Sequence, residues 1–210
     1  NNDTTTPWNV YGMIHFNDWK PITGENVWSS IIGPIQTLYL ATDGNLTNTS
    51  CGSPFHHPLV ACDFKTWKTT PAGVQQAISI LPAFKALMSE LGSVYHCPWG
   101  SKIYPYDPDE GTNVSNENNM SAYAALKMLQ EVLANYTRGS GDALLQYGLQ
   151  TVNELVTSMD KWIDNYLMSD KDVLPDGSKV VPQGGHIVGG VYSPVPVGDF
   201  GGLAVDCQTW

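Results

Sequence analysis

The sequence predicts a mainly α-helical fold with long ordered loops and a short β-hairpin. Apolar residues recur at helical spacing in four stretches, whereas strand signal is confined to HIVGGVY near 186–192. The segments between the helices are rich in Trp, Tyr, Pro, Gly and His, a composition unlike that of disordered chains. Since no Gly/Ser or Pro-rich tract divides the 210 residues, we expect residues 1–210 to form a single domain.

Each predicted helix is defined by one apolar stripe. The stripes run from Trp28 to Tyr39, over about 72–91, over about 117–135, and from Leu145 to Tyr166. Pro34 and Pro82 fall inside the first two, where proline is expected to kink or restart a helix. The terminal GLAVDCQTW has the pattern of the beginning of a fifth helix. Loops of the length left at 42–70, 92–115 and 169–202 are uncommon in compact domains and tend to be functional.

Charge and hydropathy exclude two classes of partner. Twenty acidic and ten basic residues give a net charge of −10, which disfavours binding to nucleic acid or to an anionic membrane surface. Only 14% of the residues are charged, against roughly 25% in typical soluble domains. No apolar run approaches the roughly 20 residues that a membrane span requires. We therefore expect neither a nucleic-acid partner nor a membrane span.

Sequons and cysteines predict a secreted, extracellular glycoprotein that carries N-linked glycans. Six N-x-[ST] tripeptides occur, at Asn2, Asn45, Asn48, Asn113, Asn119 and Asn135. Four cysteines accompany them. Cys51 with Cys62 and Cys97 with Cys207 is the pairing that we prefer among the three that are available, and four free buried thiols are the alternative.

Two acidic residues stand at the predicted starts of helices. Glu25 follows Thr23, and Glu117 follows Ser115, so a hydroxyl residue can cap each helix and a carboxylate lies in its first turn. Such acids complement the helix dipole for about 0.3–1 kcal/mol, which explains either one without any function. However, both stand beside asparagines and precede an aromatic residue, a setting that suits a neutral sugar. The helix terminus would favour the ionised form, as a base or nucleophile requires.

Other candidate residues surround these two acids along the chain. Asp206 in AVDCQTW is a third acid at a helix start, and an N-cap role is an equal alternative. The candidate substrate-binding residues are Asn26, Trp28, His96, Trp99, Asn118 and Tyr123. No metal site is expected, because His56 and His57 lack a second pair at ligand spacing. No cofactor is expected either, since the chain contains no phosphate-binding glycine loop.

The segments TGENVWSSIIGPIQ, VYHCPWGS, NVSNENNMSAYAALKML and LAVDCQTW resemble parts of the six-hairpin, or (α/α)6, toroid glycosidase superfamily. The resemblance implies that inner helices converge on a cleft and that acids at their ends carry the chemistry. It thus implies catalytic or sugar-binding roles for Glu25, Glu117 and Asp206. Four helices and the start of a fifth would form only an incomplete (α/α)6-toroid-like array. We expect another chain, or the remainder of a longer one, to complete the ring.

Two functions fit these observations. The first is a glycoside hydrolase that acts on a neutral polysaccharide or oligosaccharide, with Glu117 as base or nucleophile and Glu25 or Asp206 as proton donor. A lyase or epimerase acting on uronic sugars would require more basic residues. The second is a non-catalytic extracellular structural or sugar-binding glycoprotein that assembles through the helical domain. Glycans on Asn113 and Asn119 would crowd a cleft at Glu117 and would favour this second function.

Overall fold

The computed structural model describes residues 23–41, 70–98, 110–136, 141–167, 176–177 and 180–195. Within these residues the protein is mainly helical and has one small antiparallel sheet. The helices are α1 (Thr23–Val27), α2 (Gly33–Ala41), α3 (Ala72–Ser79), α4 (Leu81–Ala86), α5 (Asn116–Tyr136) and α6 (Ala143–Trp162). The strands are β1 (Asn113–Ser115), β2 (Gly184–Val188) and β3 (Val191–Pro194). A 3₁₀ turn, Glu110–Thr112, leads into β1.

A π-helical turn, Trp28–Ile32, joins α1 to α2. The Gly33 N–H donates to the Trp28 carbonyl across this wider turn, directly before Pro34. A proline lacks an N–H and its ring collides with the carbonyl four residues earlier, so a regular turn could not pass through this position. The expectation that Pro34 interrupts the regular helix is thus confirmed. The extra residue in the π turn gives the proline ring its room.

The second predicted helix is two short helices. Pro82 lies in the first turn of α4, where the missing N–H removes no helical hydrogen bond. The expected end near residue 91 is wrong, because α4 stops at Ala86 and the chain turns back. Gly92, with φ of 96°, allows that turn, and Met88 then pairs antiparallel with Val94.

Helices α5 and α6 form the centre of the fold, close to the predicted positions. Leu126, Leu129 and Leu133 of α5 are fully buried against Val152 and Met159 of α6, together with α1, α2, α3 and α4. Gly148 permits this close packing, since a Cβ there would lie 2.9 Å from the Ile78 side chain. A second π turn, Ile163–Leu167, extends α6.

The sheet has the order β1-β2-β3. The expected hairpin near 186–192 is confirmed: β2 and β3 are joined at Gly189 and Gly190, both with positive φ as a tight hairpin turn requires. β1 was not predicted, yet it pairs with β2 in the register Asn113 to His186. Aromatic contacts hold the sheet on the end of α6, where the Trp162 ring lies 4.7 Å from that of Tyr192.

The remaining fold expectations lie partly outside the described residues, which exclude the terminal GLAVDCQTW and most of the predicted long loops. Cys97 is buried, whereas Cys51, Cys62 and Cys207 are not among the described residues. In the part of the chain that is described, no helix combines the length and apolar character needed to cross a membrane.

Asp142 caps α6 and makes its stability depend on pH. The carboxylate accepts from the Thr70 hydroxyl at 2.9 Å and from the Leu144 N–H at 2.8 Å. These bonds, that of Thr70 above all, lower the pKa of Asp142 from its usual 3.8. Because the folded-state pKa is the lower one, this stabilisation is complete above the unfolded-state value and is lost as the pH falls through the folded-state value.

Asp142→Asn keeps a capping oxygen but cannot titrate. We expect the difference in unfolding free energy between the wild type and this variant to be largest at neutral pH and to shrink below about pH 3.8. Urea denaturation across the acid range measures it. Asp142→Ala, which removes the cap, should lose about 1 kcal/mol at neutral pH. A difference between wild type and Asp142→Asn that is constant with pH would contradict this account.

Candidate functional site

A cleft of about 530 Å³ opens where the N-terminal ends of α1 and α5 meet the sheet. Its volume lies within the range typical of small-molecule sites. Four walls surround it: the first turn of α1, the first turn of α5, the loop at His96, and the sheet strands β1 and β2. The lining residues are Gly24, Glu25, Trp28, His96, Asn113, Val114, Ser115, Glu117, Asn118, Gln183, Gly184, Gly185, His186 and Val195.

The α1 wall is fixed by Thr23. Its N–H donates to the His96 carbonyl at 2.9 Å, and its hydroxyl donates to the Tyr95 carbonyl at 2.6 Å. The expectation that this hydroxyl caps α1 is therefore wrong, since it anchors the helix to the loop instead. Beyond this anchor, Glu25 is exposed in the cleft, and Trp28 is 48% exposed even though it is large and apolar.

The α5 wall is fixed by two side chains at the strand–helix junction. The Ser115 hydroxyl accepts from the Asn118 N–H at 3.2 Å, which confirms the predicted capping residue. Asn116 is fully buried and donates through Nδ2 to the Pro182 carbonyl at 2.8 Å. Between them, Glu117 is half-buried and lines the cleft, and Asn118 is 8% exposed.

The sheet wall brings in residues far away in sequence. Gly184 lies so close to β1 that a Cβ on it would overlap the Val114 carbonyl. Gly185 lies so close to β3 that a Cβ on it would overlap the Ser193 carbonyl. His186 follows them, and its Nδ1 lies 3.4 Å from the Thr112 hydroxyl. The loop wall is tied to the same sheet, because the His96 N–H donates to the Asn113 carbonyl at 2.8 Å.

The cleft gathers five of the predicted site residues: Glu25, Trp28, His96, Glu117 and Asn118. Two predictions do not fit the site. Tyr123 lies six residues beyond Glu117, so the two side chains point roughly 120° apart around the helix axis. The Tyr123 hydroxyl donates to Asp160 at 2.7 Å. Asn26 is also not among the lining residues, being the next helical position after Glu25. Trp99 and Asp206 lie outside the described residues.

Four polar residues of the cleft are not among the ligand-binding candidates predicted from the sequence: Asn113, Ser115, Gln183 and His186. Asn113 and Ser115 belong to one sequon, and the other two lie about seventy residues further along the chain. Their position follows from the pairing of β1 with β2. The sequence contains a hairpin signal but no signal for that third strand, so reasoning from the sequence could not place them.

The side chain of Asn119, one of the predicted glycan acceptors, is buried, and both atoms of its amide group are hydrogen-bonded within the protein. Asn119 is 2% exposed, and its amide oxygen accepts from the Val94 N–H at 2.7 Å. Its Nδ2, the atom that would carry the sugar, donates to the carbonyls of Val94 and Ser115. Asn113 is half-buried in the cleft, and the side chains of the other sequons, at Asn2, Asn45, Asn48 and Asn135, are outside the described part.

The chemistry of the cleft is acidic and polar around one exposed aromatic ring. Its lining includes two carboxylates, two imidazoles and three side-chain amides, and none of the described residues that line it is Lys or Arg. No group of three or more His, Cys, Asp or Glu among the described residues is arranged to hold a metal ion.

Comparison of the chain with protein-family models, with curated proteins and with solved structures finds no significant match.

Tyr123→Phe tests the removal of Tyr123 from the site. The hydrogen bond to Asp160, with burial, raises the pKa of Tyr123 to about 12, so its contribution to stability is lost only as the pH rises from about 10 towards that value. We expect the variant to lose one phenolate transition near this pH in an absorbance titration. Loss of a transition near pH 10 instead would contradict the bond to Asp160 and would return Tyr123 to the candidates for the site.

Asn119→Ala tests whether Asn119 is structural. The substitution leaves the Val94 N–H and carbonyl without their partner, so we expect a loss of roughly 2–4 kcal/mol of unfolding free energy in urea. Ser121→Ala destroys the same sequon and keeps the amide, and it should cost far less. Equal losses in the two variants, or a glycan found on Asn119 by mass spectrometry, would contradict the structural role.

Proposed function

We propose that this chain is part of a secreted carbohydrate-active protein, and that its cleft is the site of a glycoside hydrolase acting on a neutral polysaccharide or oligosaccharide. One observation supports this most: Glu25 and Glu117, predicted separately from two distant segments, line the same cleft. Hydrolysis of a glycosidic bond requires two carboxyl groups placed on either side of that bond.

The walls suggest which carboxyl group takes which role. Glu117 lies in the first turn of α5, a helix of 21 residues, and is half-buried, so its place beside the positive end of the helix dipole suits a base or nucleophile. Glu25, on the facing wall, would protonate the leaving oxygen, and Asp206 is the alternative donor. His186 and the amides of Asn113 and Gln183 offer hydrogen bonds to sugar hydroxyls.

Trp28 and the charge of the cleft support a neutral substrate. An indole that is half exposed in a cleft offers a flat apolar surface, and the face of a pyranose ring is a matching one. A uronic substrate would place its carboxylate near Glu25 and Glu117 with no lining Lys or Arg among the described residues to balance the charge. Neutral sugars avoid this repulsion.

The (α/α)6 toroid remains our proposal for the complete architecture. The packing of α5 against α6, with α1 and α5 presenting their first turns at one cleft, supports it. The described helices are fewer than a closed ring of six hairpins needs, so the rest of the ring would come from further residues or from another chain.

A non-catalytic sugar-binding or structural glycoprotein is the second candidate, and Asn113 favours it. This sequon asparagine lines the cleft, so a glycan attached to it would occupy the space of a substrate. Mass spectrometry of peptides from the secreted protein decides this point. An occupied Asn113 would favour the second candidate, and an unmodified one would keep the cleft open for the first.

Glu117→Gln and Glu25→Gln test the hydrolase directly. We expect each to reduce reducing-end release from neutral polysaccharides by at least about 10³-fold, because each removes a group needed in the transition state. Binding of the intact oligosaccharide, followed by Trp28 fluorescence, should change much less.

Glu131→Gln on α5 is the matched control, since Glu131 is an exposed acid on the same helix and not part of the cleft. It should keep wild-type release. Release that survives both cleft substitutions would reject this site. Sugar binding by the wild type without any release would support the second candidate.

A further inference from the structure

Helices α1 and α5 make an unusually close contact at Gly24 and Asn118. Gly24 is buried and Asn118 is only 8% exposed. A Cβ built on Gly24 would overlap the Asn118 amide oxygen and would lie 3.0 Å from its Cγ. The amide group therefore occupies the space that a side chain at position 24 would take.

This contact is next to both candidate catalytic acids in the sequence. Glu25 follows Gly24 and Glu117 precedes Asn118, so each acid is one residue from the contact, with a Cα separation of about 3.8 Å. Both acids line the same cleft, so a shift of one helix against the other at this contact moves the two carboxylates relative to each other.

The backbones on both sides of the contact are anchored to other parts of the protein. Thr23 holds the start of α1 to the carbonyls of Tyr95 and His96. The Ser115 hydroxyl accepts from the Asn118 N–H. The amide oxygen of the next residue, Asn119, accepts from the Val94 N–H. With these anchors on either side, the group placed between the helices sets how closely they approach.

We propose that Asn118 is a positioning residue, whose side chain, seated against Gly24, fixes the separation of Glu25 and Glu117. The inference rests on the proposed function, which gives this separation its importance. Retaining and inverting hydrolysis differ in carboxyl separation by only a few Å, and a displacement of about 1 Å can reduce the rate 10²-fold.

A double-mutant cycle at Gly24 and Asn118 tests whether the Asn118 side chain is the spacer between the two helices. Gly24→Ala adds a methyl group where the amide lies, and Asn118→Ala removes the amide; each should lower kcat by about 10²-fold, with a smaller change in KM. In the double variant the new methyl group occupies the vacated space. We expect its kcat to recover at least tenfold over that of Gly24→Ala. Additive losses in the double variant would overturn the proposal.

Gly148→Ala is the matched control for loss of a packed glycine. A Cβ there would lie 2.9 Å from Ile78 Cγ1 and 3.2 Å from Leu133 Cδ1, in the core between α3, α5 and α6. We expect it to lower the unfolding free energy and to leave kcat at the wild-type value. An equal loss of kcat in Gly148→Ala would show that any packing defect reduces activity, and would overturn a specific role for Asn118.

A second readout does not depend on activity. Crystal structures of the four proteins give the separation of the Glu25 and Glu117 carboxyl groups directly. This separation should change in both single variants and return towards the wild-type value in the double variant. If the wild type releases no sugar, the hydrolase fails, yet this pattern would still support the spacer. A separation that is the same in all four proteins would overturn it.

Discussion

The pairing of Asn119 with Val94 is the constraint on which the rest of the site depends. The buried Asn119 side chain bonds both the N–H and the carbonyl of Val94. Its amide nitrogen also donates to the carbonyl of Ser115, directly before α5. Leaving such buried groups unpaired is costly, so the loop is fixed against the helix. The same loop then holds α1 through Thr23 and β1 through His96. The α1, α5 and sheet walls of the cleft are thereby all hydrogen-bonded to one short loop.

Much of the helical fold and part of the site were predictable from local signals. The apolar stripes located α5 and α6, Pro34 and Pro82 marked both interruptions, and the pair of glycines marked the hairpin. These features are encoded by neighbours within a few residues, which is the range over which spacing and capping arguments are valid. The grouping of Glu25 with Glu117 was expected from the resemblance to toroid glycosidases, and spacing along the chain does not predict it.

The rest depends on contacts between distant segments. Strand β1 has three residues and exists through its register with β2, so His186 and Gln183 could not be assigned to the cleft. The Asn119 sequon shows the same limit from another side. A tripeptide pattern specifies a chemical acceptor but carries no information on burial, and here the acceptor nitrogen donates to backbone carbonyls. The direction of Tyr123 around α5 likewise depends on a distant partner, because its hydroxyl donates to Asp160 of α6.

The direct junction of β1 with α5 has a mechanical consequence. Ser115 ends the strand and Asn116 begins the helix, with no connecting residue between them. The pairing of β1 with β2 therefore also sets the rotation of α5 about its axis. A slip of one residue in that pairing would exchange the two faces of the strand and would turn the helix by roughly 100°. Glu117 would then leave the cleft, so the register of the sheet determines the direction in which the Glu117 side chain points.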